Sequence, residues 1–171
     1  MKKILTNDSL WMKVLLFSIS LVMVGSSCCA QTADKIIDKY KNYNGAEYVS
    51  YNKSELTDLY KEIPEGNYMK ILAKKADAIK ALSNNEISEK KQKEIHELVQ
   101  DLDESNYSKL VDEKDNEGNI ISIWFLENSK NYLITDVFIY LVDKGKTTML
   151  LYAKGSYSES DIEKVEGLLL P

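Results

Sequence analysis

Apolar residues recur at helical spacing in the first hundred residues of the chain. The clearest case is residues 87–102, where Ile95, Leu98, Val99 and Leu102 fall on one helical face. Shorter stretches with the same spacing predict helices at residues 36–43, 56–63 and 68–75. Asn52 is followed by Glu55 three residues later, which is typical of a capping box that begins the second of these helices.

From residue 107 the apolar residues recur at every second position, which is the spacing of β-strands. The predicted strands are residues 107–114, 119–127, 130–142 and 147–154. The sequences Asp115-Asn116-Glu117-Gly118 and Asp143-Lys144-Gly145-Lys146 are turn signals between neighbouring strands. Four strands joined in this way predict an antiparallel meander.

The remaining segments add a short strand, a stretch that fits two kinds of element and a last helix to a single domain. Residues 47–51 alternate like a short strand, while residues 76–82 fit either a strand or the end of the preceding helix. Ser160-Asp161-Ile162-Glu163 predicts the start of a last helix. Because helices come first and strands follow, we expect one α+β domain over residues 31–171, with helices packed on one face of an antiparallel sheet.

The third strand of the meander is apolar on both of its faces, unlike a strand with one face in water. Phe138 and Tyr140 lie on one of these faces, and Tyr152 on the next strand lies on the same side of the sheet. We therefore expect something to cover these three side chains. The cover is either a helix or loop of the same chain, or a partner, a second copy or an apolar ligand. These three residues are therefore the candidate interaction surface.

The first thirty residues have the charge order of a secretory signal peptide. Lys2, Lys3 and Lys13 precede an uncharged stretch over residues 14–25, which is too short for the roughly 20 residues of a membrane span. Met12 would give a shorter leader and is an alternative start to Met1.

A run of small residues after this stretch sets the predicted cleavage site, between Ala30 and Gln31. The alternative is lipidation of Cys28 or Cys29, as in bacterial lipoproteins. The sequence therefore predicts a signal peptide at residues 1–30 and an exported domain that lacks a disulfide framework.

Composition excludes several classes of function. The 22 cationic residues are all lysine and stand against 27 acids, which leaves a net charge of −5 and argues against nucleic-acid binding.

His96 is the one histidine, and Gln100 occupies the position of the second zinc ligand in an H-E-x-x-H motif. Gly145-Lys146-Thr147 lacks the leading glycine of a P-loop, since Tyr140 stands there. We predict no catalytic residue, cofactor or metal site.

Several short motifs together resemble a known family. They are residues 40–51 (YKNYNGAEYVSY), residues 79–83 (IKALS) and the strand pair at residues 136–143 and 147–155. In these motifs the chain resembles the exported bacterial proteins grouped as domain of unknown function 4252. The resemblance implies an α+β domain of the Gram-negative envelope, often lipid-anchored, with no activity to transfer to individual residues.

From these observations we expect a non-enzymatic envelope protein that contacts another envelope protein or itself. It would be periplasmic or secreted, or alternatively an outer-membrane lipoprotein that touches the membrane only through its lipid. One alternative function is a carrier that holds an apolar ligand or lipid between sheet and helices. Another is a hydrolase that uses carboxylates or a Ser/Lys pair.

Overall fold

A computed structural model describes residues 32–143 and 147–170 of the chain. The predicted signal peptide, its two candidate start sites, the Ala30–Gln31 cleavage site, the two cysteines and the middle of the second predicted turn lie outside these residues. Among the described helices, none combines the length and the hydropathy that a bilayer crossing requires.

In the described part of the chain, six antiparallel strands form one sheet in the order β1–β2–β6–β5–β4–β3. The strands are β1 (Ala46–Asn52), β2 (Ala76–Asn84), β3 (Ser108–Lys114), β4 (Ile120–Asn128), β5 (Leu133–Asp143) and β6 (Thr147–Tyr157). Strands β3 to β6 are neighbours in chain order, which confirms the predicted meander. The stretch that fitted either a helix end or a strand is β2, because β1 and β6 both pair with it.

Within residues 32–143 and 147–170, five helices accompany the sheet. They are α1 (Ala33–Tyr40), α2 (Lys53–Glu62), α3 (Tyr68–Lys75), α4 (Glu89–Gln100) and α5 (Glu159–Leu169), with a short 3-10 helix at Asp103–Ser105. The predicted capping box at α2 is confirmed: the Glu55 N–H donates to Asn52 Oδ1 at 3.2 Å, and the Asn52 N–H donates to Glu55 Oε2 at 2.8 Å. Helix α5 begins earlier than predicted because Ser158 is its N-cap residue.

The α+β class is confirmed, but the prediction that the helices pack on one face of the sheet was wrong. Helices α1 and α4 pack on the face that carries Phe138 and Tyr140, which we call the aromatic face. Helices α2, α3 and α5 pack on the other side, the aliphatic face, which carries Ile139 and Leu151. Because β5 and β6 are apolar on both sides, each face needs its own layer of helices.

A partly buried ion pair fixes the start of α5 against the end of α3. Lys75 Nζ lies 2.5 Å from Asp161 Oδ2, and the Ser158 N–H donates to the same oxygen at 2.8 Å. Burial alone would raise the pKa of Asp161, but the hydrogen bonds from Lys75 and Ser158 outweigh it and lower the pKa to about 2. The ionised carboxylate therefore contributes to stability.

We expect Asp161→Asn to lower the free energy of unfolding by about 1–3 kcal/mol at pH 7, because it weakens the cap and leaves Lys75 without its anion. Since the folded pKa lies below the unfolded value of 3.8, this contribution is complete above about pH 5 and is lost as the pH falls towards 2. Urea denaturation at several pH values measures it.

The matched control is Asp58→Asn, since Asp58 pairs with Lys61 at 2.9 Å on the surface and its side chain is 81% exposed. We expect that substitution to change stability by less than about 0.5 kcal/mol. Equal losses in both variants would contradict the structural role of Asp161.

Candidate functional site

The aromatic face is covered by the chain's own helices. Phe138 and Tyr140 are 0% exposed and Tyr152 is 7% exposed. The same core contains the apolar residues of α1 and α4, among them Ile36 and Ile95. The prediction that Phe138, Tyr140 and Tyr152 form an interaction surface is therefore corrected: these side chains are part of the core and are not available to a partner.

Acids and hydroxyl groups do converge at one end of the aromatic face. Tyr152 donates a short hydrogen bond to Asp136, and Thr135 donates to the same carboxylate at 2.7 Å. Burial is the main cause that raises the pKa of Tyr107 to about 12, and the nearby charge of Asp136 adds to it. The Tyr107 hydroxyl is also hydrogen-bonded to the backbone of Ala33. Burial and Asp136 also raise the pKa of Tyr152. Both phenols are therefore neutral and are not poised as bases, and Tyr107 is the one that binds the first turn of α1.

An open cleft of about 820 Å³ lies at the other end of β5. We call it the sheet-end cleft. Its apolar floor consists of Ile120, Ile121, Leu141, Val142, Leu169 and Leu170, and its polar rim includes Asp112, Glu113, Lys114, Asp115, Asn119 and Asp143. The ends of three strands and the last residues of α5 therefore build the site together.

The cleft is open because the helical layer ends before the sheet does. Ile121 on β4, Leu141 on β5 and Met149 on β6 lie side by side in one cross-strand row of the aliphatic face. All three are only half-buried, whereas Ile123 and Ile139 in the next row are completely buried. Helix α5 reaches the outer row only through its last residues, so Ile121 and Leu141 of this row line an open cleft.

Two rim carboxylates are already committed to the local structure. Asp112 lies 3.0 Å from Lys109 Nζ. Asp115 accepts a hydrogen bond from the Asn119 side chain at 2.6 Å and another from the Glu117 N–H at 2.8 Å. The Asn119 side chain makes the largest contribution to lowering the pKa of Asp115, which keeps the carboxylate ionised.

The other two carboxylates, Glu113 and Asp143, are exposed beside the apolar floor. Glu113 is the cross-strand neighbour of Ile121, and Asp143 directly follows Val142 at the end of β5. In the part of the chain that the structure describes, neither acid forms an ion pair. Among the described residues of the cleft, they are therefore the two carboxylates that a positive charge on a ligand would meet.

The chemistry of the lining suits binding better than bond cleavage. The described residues that line the cleft include no hydroxyl, thiol or imidazole that could act as a nucleophile or a neutral base. A general acid needs a raised pKa, and Asp115 has the opposite shift. An apolar floor beside free carboxylates can hold an apolar group and a neighbouring cation.

Sequence reasoning missed this cleft. Ile121 and Leu141 have the same apolar alternation as the buried Ile123 and Ile139, so the pattern does not distinguish them. The available signal was the run Leu168-Leu169-Leu170 at the end of the last helix, where Leu168 is 46% exposed.

The model of the family described as Domain of unknown function (DUF4252) matches residues 34–165 of the chain. This segment runs from the first turn of α1 into α5 and includes all six strands, while Leu169 and Leu170 of the cleft lie beyond it. No curated protein matches the chain, and no solved structure does.

Proposed function

This chain belongs to the domain of unknown function 4252 family, and we propose that it is an exported, non-enzymatic binding protein whose binding site is the sheet-end cleft. Since the family's description names no activity, the proposal rests on the cleft itself. The observation that carries it is the half-buried pair of Ile121 and Leu141, which line the open cleft together with the last residues of α5.

The openness of the cleft favours a protein partner over a small apolar ligand. A carrier usually encloses 70–90% of its ligand's surface, whereas this floor is open at the end of the sheet. The layers on either side of the sheet are packed, with Trp124, Phe138 and Ile139 completely buried. Apolar side chains from a partner would enter the cleft and gain about 25 cal/mol for each Å² of apolar surface removed from water.

The rim indicates the chemistry of that partner. Glu113 and Asp143 lie beside the apolar floor, so a matching segment would place a lysine or arginine next to its apolar anchor. An exposed ion pair adds only about 0.2–1 kcal/mol. The apolar anchor would therefore supply most of the affinity, and the charges would select the partner.

The proposal includes export. The leader predicted at residues 1–30 would take the domain to the periplasm or the outside. Alternatively, a lipid on Cys28 or Cys29 would anchor it in the outer membrane. Helix α1, which follows the leader, begins beside Tyr107 and the Asp136 end of β5. Leu141 lies five residues further along β5, about 16 Å away, so the start of α1 and the cleft lie at opposite ends of this strand.

Site-specific photo-crosslinking in the intact envelope tests this proposal. A photoreactive residue at Leu170 or at Glu113 is expected to crosslink one envelope protein, while the same residue at the exposed Lys130 is not. Lys130 is the matched control because it lies in the turn after β4, away from the cleft. We expect Leu170→Asp to reduce the crosslink from Glu113 at least tenfold, since a charge would enter the apolar floor.

Two outcomes would contradict the proposal. Equal crosslinking from Lys130 would show that contact is not specific to the cleft. A small apolar molecule that native mass spectrometry finds on the purified protein, and that is lost with Leu170→Asp, would establish the carrier function instead.

A further inference from the structure

The two edges of the sheet are built differently. Strand β3 has a register shift between Lys109 and Val111, and it carries four charged side chains, two of them acidic and two basic. Bulges and edge charges are the usual means by which proteins prevent another strand from pairing with an edge. The β3 edge is therefore protected against strand addition.

Strand β1, at the opposite edge, lacks these protections. It pairs with β2 without a register shift from Ala46↔Asn84 to Asn52↔Ala78. Glu47 is its one charged residue, and Val49 is 45% exposed. In the described part of the chain no strand pairs with its outer side. A regular edge with two tyrosines, one valine and a single charge is suited to β-strand addition.

The cations near this edge are already engaged by the chain itself. Lys53 lies 2.7 Å from Asp77, and Lys41 lies 5.8 Å from the centre of the Tyr48 ring. The Asn52 N–H donates to Glu55, so a new ladder would end at Tyr51. These contacts leave residues 47–51 as the segment available for pairing.

We propose that β1 pairs antiparallel with β1 of a second copy of this chain, about a two-fold axis at Val49. In this register Val49 faces Val49 of the second copy, Glu47 faces Tyr51 and Tyr48 faces Ser50, so no like charges lie opposite each other. The two six-stranded sheets then form one continuous sheet. Because the contact is isologous and β3 is protected, assembly stops at a dimer.

Analytical ultracentrifugation of the protein, expressed as residues 1–171 and purified after export, tests the dimer. We expect a reversible dimer within a concentration series that reaches about 0.5 mM. Val49→Lys places two lysines on the two-fold axis and is expected to raise the dimer Kd at least tenfold. Leu110→Lys is the matched control: it adds the same charge at the 37%-exposed residue of the β3 edge and should leave the Kd unchanged.

Cysteine crosslinking then tests the register, in a chain that also carries Cys28→Ser and Cys29→Ser. Val49→Cys is expected to form a disulfide-linked dimer, because directly opposite residues have Cα atoms about 4.5–5.5 Å apart. Glu47→Cys is the control, since the two copies of that position would lie four residues apart along the strands, about 13 Å.

Three results would overturn the proposal: a monomer over the whole concentration series, a dimer that Val49→Lys leaves unchanged, or equal crosslinking through Glu47→Cys. Because β1 and the sheet-end cleft lie apart, the dimer and the binding function succeed or fail independently.

Discussion

Gly155→Ala is expected to lower the free energy of unfolding by about 2–4 kcal/mol, because the backbone leaves no space for a side chain at this position. A Cβ atom there would lie 2.4 Å from the carbonyl oxygen of Lys75 and 2.9 Å from Cα of Ala76. Both are backbone atoms at the point where α3 ends and β2 begins. They cannot move aside without separating β2 from β6, which pair at Ala76↔Gly155.

Gly167→Ala is the matched control for this prediction. Gly167 lies within α5, and a Cβ atom there would meet nothing within 4 Å. Since alanine favours a helix over glycine, we expect stability to rise by about 0.5–1 kcal/mol. Urea denaturation followed by circular dichroism measures both variants, and a Gly155→Ala protein as stable as the unmodified chain would contradict the close approach of Lys75.

Phe138→Ala is expected to lower the free energy of unfolding by about 3–5 kcal/mol, the usual cost of removing a fully buried aromatic ring. Phe138 pairs across the strands with Trp124 and Tyr152, and the helices of the aromatic face cover all three. On an exposed interaction surface the same substitution would change stability by less than about 0.5 kcal/mol.

Tyr140→Phe removes the hydroxyl group and keeps the aromatic ring, so it tests the contribution of the hydroxyl group alone. The Tyr140 hydroxyl is buried and has no hydrogen-bond partner among the described residues. Removing it should leave stability unchanged or raise it slightly, because no hydrogen bond is lost and a buried polar group disappears. A clear loss in this variant, or a small effect of Phe138→Ala, would contradict the packing of the aromatic face.

Local patterns in the sequence predicted much of the fold. The alternation after residue 107 predicted the meander, and the Asn52–Glu55 spacing predicted the cap of α2, because each depends on residues that are close in the chain. By contrast, residues 76–82 became a strand only through pairing with β1 and β6, which lie far away in sequence. Sequence spacing within a segment does not contain that information.

The position of the helices and of the cleft also depends on distant contacts. The apolar residues on both sides of β5 indicate that both faces are buried but not which segment covers each, so the sequence left open whether the chain itself or a partner covers Phe138, Tyr140 and Tyr152. Leu141 and Ile139 look alike in the sequence, yet one is half-buried and the other completely buried. The difference comes from where α5 ends over the sheet, which no pattern within β5 encodes.

Hydroxyl-radical footprinting of the purified protein and of the intact envelope tests most directly which surface of the domain contacts a partner. In the purified protein we predict labelling of Leu141 and Leu170 and protection of Phe138 and Tyr140, with the 76%-exposed Tyr132 as the internal reference. In the envelope, Leu141 and Leu170 should become protected while Tyr132 stays labelled. Labelling of Tyr140 at the level of Tyr132, or a cleft labelled equally in both samples, would contradict this account.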